Sequence, residues 1–197
     1  RFMAASIDLA RAAQWGEPLF MSVHFLKEHK KLRSMILSEG TLVQDNLSKA
    51  IDALLTRNIE AAEKIIRSDN EVDQLEIDIE ENCLKILALH HPVANDLRFI
   101  VAILKMNNDL ERMGDIVGSI AKRARFLSRR EPVEWPLDLE GFAADVRVMV
   151  DGALSALVSA DPEKARQVCG RDDVVDVRKR EMIVALRKML ETQQDKA

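Results

Sequence analysis

A three-residue corner, His90-His91-Pro92, joins two long stretches of helical periodicity and constrains the fold more than any other feature of the sequence. Proline suits the first turn of a helix, where its missing N–H costs no hydrogen bond. Two helices joined by so short a link must run antiparallel and pack side by side. The sequence therefore predicts a helical hairpin, with one arm from about Ile59 to Leu89 and a second arm that opens at Pro92.

Acidic side chains recur at helical spacing on both arms of this hairpin. Asp73 lies nineteen residues before Pro92, and Glu111 lies nineteen residues after it. At ~1.5 Å of rise per residue, the two carboxylates reach the same height along the paired helices. We therefore expect the acids of the two arms to face each other, in the set Asp69, Asp73, Glu111 and Asp115.

Each arm also carries apolar residues at 3.6-residue spacing, which predicts that each is packed in a core. The first arm has the stripe Ile65, Val72, Leu75, Ile79, Cys83 and Ile86. On the second arm, Leu97, Val101 and Leu104 begin the face that later carries Glu111 and Asp115. A further apolar face of this arm comprises Ile103, Met106, Leu110, Met113 and Val117.

The facing acids admit two explanations. Four carboxylates supply up to about eight hard oxygens, which suit Mg²⁺, Mn²⁺, Ca²⁺ or iron better than copper or zinc. Without a cation, gathered carboxylates would raise one another's pKa values. The competing explanation is a cluster of salt bridges to Arg98, Lys105 and Arg112. Spacing alone leaves both explanations open.

The chain contains an internal repeat with a shift of 103 residues. A long amphipathic helix is predicted from Phe25 to about Thr56, followed by a break with Asn58 as the N-cap of the next helix. The shift places Asn58 on Asp161, and the acid pair Asp69/Asp73 on Asp172/Asp176. Counterparts of Glu111 and Asp115 would fall near positions 214 and 218, beyond Ala197.

A proline-containing segment after Leu127 interrupts the helical pattern and predicts a boundary between two bundles. We expect an N-terminal extension of uncertain origin at 1–20, a first three-helix bundle at 21–128, a linker at 129–137 and the first two helices of a second bundle at 138–197. The predicted fold class is all-α, with two tandem three-helix bundles of which the second lacks its last helix.

Composition and motifs narrow the classes of function that the protein can have. The net charge of −4 gives no general attraction to nucleic acid, and no run approaches the ~18 apolar residues of a membrane span. Two well-separated cysteines without a CxxC pattern predict buried thiols in a reducing cytoplasm. Nucleotide-binding glycine patterns, HExxH, Glu-x-x-His and G-x-S-x-G are all absent from the sequence. The corresponding classes of enzyme are therefore not indicated by the sequence.

Five segments resemble the PhoU family, the phosphate-responsive regulatory proteins of bacteria, and they occur in the family's order and separation. The resemblance covers about Met21 to Ala197, and it is carried by Met21-Ser-Val-His-Phe25, Asp69-Asn-Glu-Val-Asp73, Ala88-Leu-His-His-Pro92-Val-Ala-Asn-Asp96-Leu-Arg98, Asp109-Leu-Glu-Arg-Met-Gly-Asp115 and Arg171-Asp-Asp-Val-Val-Asp176. The sequence departs from the family pattern at His90 and His91, where glutamine is usual.

The resemblance implies a pair of three-helix bundles with E/D-x-x-x-D motifs that bind divalent or iron ions (Fe, Mn, Mg, Zn or Ca), often as multinuclear clusters. Carried over, Asp69, Asp73, Glu111 and Asp115 are the ligands of a first site, and Asp172 and Asp176 are half of a second.

The resemblance to the PhoU family also implies a negative regulator of phosphate uptake and of the phosphate-starvation response. Such a regulator acts through the ATPase of a phosphate ABC transporter and through a sensor histidine kinase. We expect it to be cytoplasmic, homodimeric and at most peripheral to the membrane. An oxygen-ligated metalloenzyme or a metal-storage bundle is the alternative.

Overall fold

The computed structural model describes residues 23–132, 138–159 and 161–194, and the regular structure in these ranges is entirely α-helical. We number its five helices in chain order. They are α1 (Val23–Thr56), α2 (Ile59–His90), α3 (Ala94–Leu127), α4 (Leu139–Ser159) and α5 (Pro162–Gln194).

The breaks between the first three helices follow from local backbone chemistry. Arg57 adopts a left-handed conformation (φ 57°), and the Asn58 side chain accepts a hydrogen bond from the N–H of Ala61, which satisfies an otherwise unpaired donor of the first turn. At the corner, His91 is also left-handed (φ 44°) and ends α2. The predicted start of α3 at Pro92 is wrong, because Val93 is extended and serves as the N-cap position, so the helix begins at Ala94.

Helices α1, α2 and α3 pack against one another around a core that divides into two apolar clusters. The first cluster lies toward the α2–α3 corner and includes Leu32, Ile36, Ile79, Cys83, Ile86, Ile103, Met106 and Leu110. The second lies toward the other end and includes Leu47, Ala50, Ala53, Ala62, Ile65, Val117 and Ala121. On α1, the stretch between the two clusters contains the buried polar residues Glu39 and Asn46.

The core face of α3 agrees with only one of the two predicted apolar faces. Ile103, Met106 and Leu110 are fully buried, whereas Leu97 and Val101 are each 41% exposed. The face that leads into Glu111 and Asp115 is therefore largely open to water at its beginning. Leu104, farther along this face, is partly buried and packs against the first apolar cluster, so only the beginning of the face departs from the prediction.

Helices α4 and α5 pack together, and α4 also packs on α1. A Cβ atom added at Gly40 would lie 2.7 Å from the Cδ atoms of Leu154, so glycine permits the close approach of α4. The Gln44 side-chain amide donates to Asp151 Oδ1 at 2.6 Å across the same contact. The second unit buries much less of itself, and several of its large apolar residues are exposed, including Val174, Val177, Val184 and Leu190.

The internal repeat is visible in the hydrogen bonds. Asn58 N donates to Ala53 O at 3.0 Å, and Asp161 N donates to Ala156 O at 3.1 Å, 103 positions later. Asp161 caps its helix as Asn58 does, with Oδ1 accepting from the N–H groups of Glu163 and Lys164. The two units are thus built alike where α1 meets α2 and where α4 meets α5.

Three other predictions concern the cysteines, membrane-spanning helices and the domain boundaries. Cys83 is buried as predicted, but Cys169 is only partly buried, so the prediction of two buried thiols is half wrong. In the described ranges, no helix combines the length and apolar character that crossing a bilayer requires. The domain boundaries stay a prediction, and residues 1–20 and 133–137 lie outside the described residues.

Candidate metal site between two helices

The register between α2 and α3 can be measured at three points along their contact. Asn107 Nδ2 donates to the carbonyl of Glu76 at 3.1 Å. A Cβ atom added at Gly114 would lie 3.1 Å from Val72 Cγ1, and one added at Gly118 would lie 2.9 Å from Asp69 Oδ2. Position numbers fall on α2 as they rise on α3, as antiparallel packing requires.

This register places the acids of α2 and α3 at the same height. The turn of α2 that carries Asp73 lies between the Glu76 and Val72 contacts, and the turn of α3 that carries Glu111 lies between the matching partners Asn107 and Gly114. We call the group Asp69, Asp73, Glu76, Glu111 and Asp115 the acidic seam. The glycines of α3 let the two backbones approach closely along it.

The seam carboxylates perturb one another, which shows that they share one electrostatic environment. Burial raises the pKa of Glu111, and the negative charges of Asp115, Glu76 and Asp73 raise it further, as does a hydrogen bond with Asp115. The pKa of Asp69 is raised by burial and then by Asp73 and Asp115, while the positive charge of Lys122 opposes the increase. Burial, Glu80, Asp73 and Asp115 raise the pKa of Glu76. A cation bound between such carboxylates would stabilise their charged forms.

The structure therefore brings Asp69, Asp73, Glu111 and Asp115 to one seam, but it does not close them into a coordination shell. Throughout the described ranges, no group of three or more His, Cys, Asp or Glu side chains is arranged to hold a metal ion. Asp73 and Asp115 are exposed, and Asp69, Glu76 and Glu111 are partly buried. Coordination would need rotations of these side chains, which their contact with water permits. Their assignment as metal ligands stays a prediction.

Asp172 and Asp176 lie on α5 at the same spacing as Asp69 and Asp73, but in a different setting. Both are exposed. The carboxylate of Asp176 lies 3.8 Å from Lys179 Nζ on its own helix, and its backbone carbonyl accepts from Arg180 Nε at 3.1 Å. The structure does not bring acids of α4 to them, since Asp138 and Asp145 at the start of α4 instead pair with Arg178.

The sequence reasoning missed Glu39 of α1. Its side chain is 0% exposed, and neither carboxylate oxygen has a hydrogen-bond partner. Burial raises its pKa to about 8, and the charges of Glu76 and Glu111 add to the increase. A signal was present, because Glu39 stands at core spacing between Ile36 and Val43, where an apolar residue is the rule.

Asn107 of α3 is the second buried polar residue beside the seam. It is 0% exposed, and its amide nitrogen donates to the Glu76 carbonyl. Its Oδ1 atom is buried without a hydrogen-bond partner. Glu39 and Asn107 therefore present three buried oxygen atoms without a donor, a rare condition that calls for a proton or a cation.

The oxygen atoms of the acidic seam, Glu39 and Asn107 are ligands that fit a hard cation. They are carboxylate and amide oxygens, the ligands preferred by Mg²⁺, Mn²⁺, Ca²⁺ and iron. A soft-metal site is disfavoured at the nearby Cys83, because burial, with a smaller effect of Glu80, raises the pKa of its thiol to about 12. When bound, a cation would neutralise the repulsion between α2 and α3 and tie the two helices together.

The described structure is an all-helical protein with an internally repeated helix–turn–helix unit and an acidic seam along its first hairpin. The chain belongs to the PhoU family: the family model described as "PhoU domain" matches residues 36–124 and 139–197. The resemblance noted in the sequence is thereby confirmed.

Relatives and solved structures agree with this assignment. The chain is 37% identical over 150 residues to the phosphate-specific transport system accessory protein PhoU homolog of Aquifex aeolicus, covering 76% of this chain and 68% of that protein. It is 33% identical over 171 residues to the homolog of Pseudomonas aeruginosa, covering 86% and 69%.

The crystal structure of PhoU from Pseudomonas aeruginosa superposes with a TM-score of 0.79 at 32% identity and covers 87% of this chain and 81% of that one. The phosphate transport system regulatory protein PhoU from Streptococcus pneumoniae gives the same TM-score at 31% identity, with 86% and 80% covered. At this identity and overlap, the all-α fold with its two-bundle arrangement is that of PhoU.

Proposed function

We propose that this protein is a non-enzymatic regulator of phosphate uptake that works as an accessory to a phosphate-specific transport system. One observation carries the proposal: the family match runs through both helical units, and the relatives are named as accessory proteins of that system. None of the names quoted above is that of an enzyme. The action is repression of the phosphate-starvation response when phosphate is abundant.

The mechanism is occlusion by docking. The bundles present surfaces to the transporter ATPase and to a sensor histidine kinase on the cytoplasmic side of the membrane, and a homodimer presents two copies of each surface. The contact of α4 with α1 through Gly40 and Leu154 supports a coupling between the two units, since a shift of α1 would be felt by α4.

The acidic seam binds divalent or iron ions, singly or as a cluster, and the bound metal fixes the packing of α2 against α3. The raised pKa values of Asp69, Glu76 and Glu111 support this assignment, because they result from burial and from repulsion among the carboxylates, and a bound cation would offset both. Asp172 and Asp176 would form half of a second site. Exposure of Asp73 and Asp115 favours a surface site of an adaptor over an enclosed catalytic site.

Deletion of the gene tests the regulatory role. Phosphate-starvation genes should stay switched on in high phosphate, and expression of the wild-type chain with its native flanking sequence should restore repression. Normal repression in the deletion strain would contradict the role.

Elemental analysis of a purified double variant tests the metal assignment. Asp73→Asn with Glu111→Gln should abolish loading with divalent or iron ions and leave the helical circular dichroism almost unchanged, because both side chains lie outside the apolar clusters. Unchanged metal content in that variant would eliminate the seam as the site.

A metal-storage or metalloenzyme bundle is the second candidate function, and the protonation behaviour of Glu39 favours it. A carboxyl whose pKa is raised to about 8 resembles a general acid or base. Storage predicts many iron atoms per chain after aerobic loading with Fe²⁺, whereas the regulator binds a small fixed number. Iron content that grows without saturation would favour storage.

A further inference from the structure

Glu39 is a carboxylate without any partner in the middle of a helical bundle. It is completely buried on α1, and both of its oxygens lack a hydrogen bond. An ionised carboxylate that is removed from water without a partner is strongly unfavourable. An apolar residue of similar size would avoid this penalty, so the position calls for a proton or a cation on the glutamate.

The surroundings of Glu39 identify where such a ligand would sit. Lys31 of α1 donates to Asn82 Oδ1 of α2 at 2.7 Å, and counting from this contact along the two antiparallel helices places Glu39 close to the height of Glu76. The charges of Glu76 on α2 and Glu111 on α3 also act on Glu39. The charge of Glu76 also acts on Glu111. Three helices therefore each contribute one glutamate to the same region.

Asn107 adds a neutral oxygen at the same height. Its amide nitrogen is committed to the Glu76 carbonyl at 3.1 Å, which leaves Oδ1 as the buried oxygen without a donor. Asn107 precedes Glu111 by one helical turn, so both lie on the same side of α3. The three glutamates are not closed around one point in the described residues, but carboxylate and amide oxygens are the ligands that a hard divalent cation prefers.

We propose that Glu39 is a third-helix ligand of the cation bound in the acidic seam, where it coordinates the metal together with Glu76 and Glu111. The inference rests on the proposed metal binding by the seam. It extends the ligand set from the α2–α3 hairpin to α1, so the cation joins all three helices of the first unit. Gly40, the next residue, contacts Leu154 of α4, and the bound metal thus lies one residue from the contact between the two units.

Two substitutions of Glu39 and one matched control test the proposal, with Mn²⁺ as the probe. Glu39→Met removes both oxygens and fills the space with an apolar chain, and Glu39→Gln keeps the shape and loses the charge. Glu71→Gln is the control, since Glu71 is an exposed acid on α2 two residues from Asp69 and Asp73 and therefore on another side of the helix. Binding is measured by calorimetric titration, and folding is measured by thermal unfolding with and without Mn²⁺.

Loss of a ligand should weaken Mn²⁺ binding by tenfold or more in Glu39→Met and Glu39→Gln, and Glu71→Gln should bind as the wild type does. The rise in the unfolding temperature caused by Mn²⁺ should shrink in the same two variants. In the presence of a chelator, Glu39→Met should unfold at a higher temperature than the wild type, which separates a lost ligand from a lost fold.

Three results would overturn the proposal. Mn²⁺ affinities within twofold of wild type in both Glu39 variants would show that Glu39 holds a proton instead of a metal. If Asp73→Asn with Glu111→Gln abolishes binding while both Glu39 variants retain it, the seam binds metal without α1, and only this inference fails. A wild-type protein that does not bind Mn²⁺ at millimolar concentration would remove the proposed metal function together with it.

Discussion

Two acid pairs of this protein, Asp69/Asp73 on α2 and Asp172/Asp176 on α5, have the same spacing and the same position in the repeat but different surroundings. Each pair follows a polar N-cap, Asn58 or Asp161, by the same number of residues. Up to that point the two units fold alike, with matching hydrogen bonds where their helices meet.

The neighbouring helix makes the difference. Asp69 is partly buried against α3, near Gly118 and Asp115, whereas Asp172 and Asp176 are exposed and Asp176 faces Lys179 of its own helix. Acids at this spacing therefore lie on one face of their own helix. They form a candidate site only where a second helix places acids at the same height. Substitutions in the two units test this difference.

The first unit should depend on its core far more than the second unit depends on its apolar residues. Leu110→Ala removes a fully buried side chain and should lower the free energy of unfolding by about 2–5 kcal/mol. Leu190→Ala on α5 changes a side chain that is 60% exposed and should cost less than about 1 kcal/mol. Urea unfolding followed by circular dichroism measures both. Equal losses would contradict the difference in packing between the units.

Glu39 should give the metal-free protein a stability that falls as pH rises. Its folded-state pKa of about 8 lies above the ordinary value of 4.5, so the folded chain holds a proton that the unfolded chain releases. The contribution is complete below about pH 4.5 and is lost as pH rises through about 8, with a slope of at most about 1.4 kcal/mol per pH unit.

Urea unfolding between pH 5 and 8 in the presence of a chelator measures this slope. Glu39→Met should flatten the profile, and Asp172→Asn with Asp176→Asn should leave it as in the wild type. A Glu39→Met profile that keeps the wild-type slope would assign the slope to other groups.

Glycines of the two units should respond with opposite sign to alanine. A Cβ at Gly114 would lie 3.1 Å from the buried Val72, so Gly114→Ala should lower the unfolding free energy by roughly 1 kcal/mol. A Cβ at Gly170 on α5 would meet nothing within 4 Å, and Gly170→Ala should raise it by up to about 1 kcal/mol because alanine favours helix. Thermal unfolding of the two variants checks the signs, and stabilisation by both would mean that α3 does not approach α2 closely at Gly114.

Much of the fold could be predicted from the sequence because the ends of long helices are encoded by residues close to them in the chain. The break at Asn58, the corner at His91 and the cap at Asp161 are encoded by residues within one turn of where they act. The shared height of Asp73 and Glu111 followed from counting residues along two helices joined by a short link. Such features need no knowledge of a third helix.

Apart from the start of α3, which lies two residues after Pro92, the predictions that failed needed that knowledge. Leu97 and Val101 have core spacing but are each 41% exposed, and Cys169 is only partly buried. Glu39 was missed for the same reason, since only the packing of α1 on the hairpin shows that this charge is buried beside Glu76 and Glu111. Periodicity identifies a helical face, and tertiary packing decides what that face meets.

We propose that α2 and α3 together form a cation site that α5 alone does not. Titration of Mn²⁺ into two matched double variants tests it most directly: Asp69→Asn with Asp73→Asn, and Asp172→Asn with Asp176→Asn. Each removes two carboxylates at the same spacing and the same place in the repeat. We predict that the first pair weakens binding at least tenfold and that the second leaves it unchanged. Equal effects of the two pairs, or no effect of the first, would contradict the account.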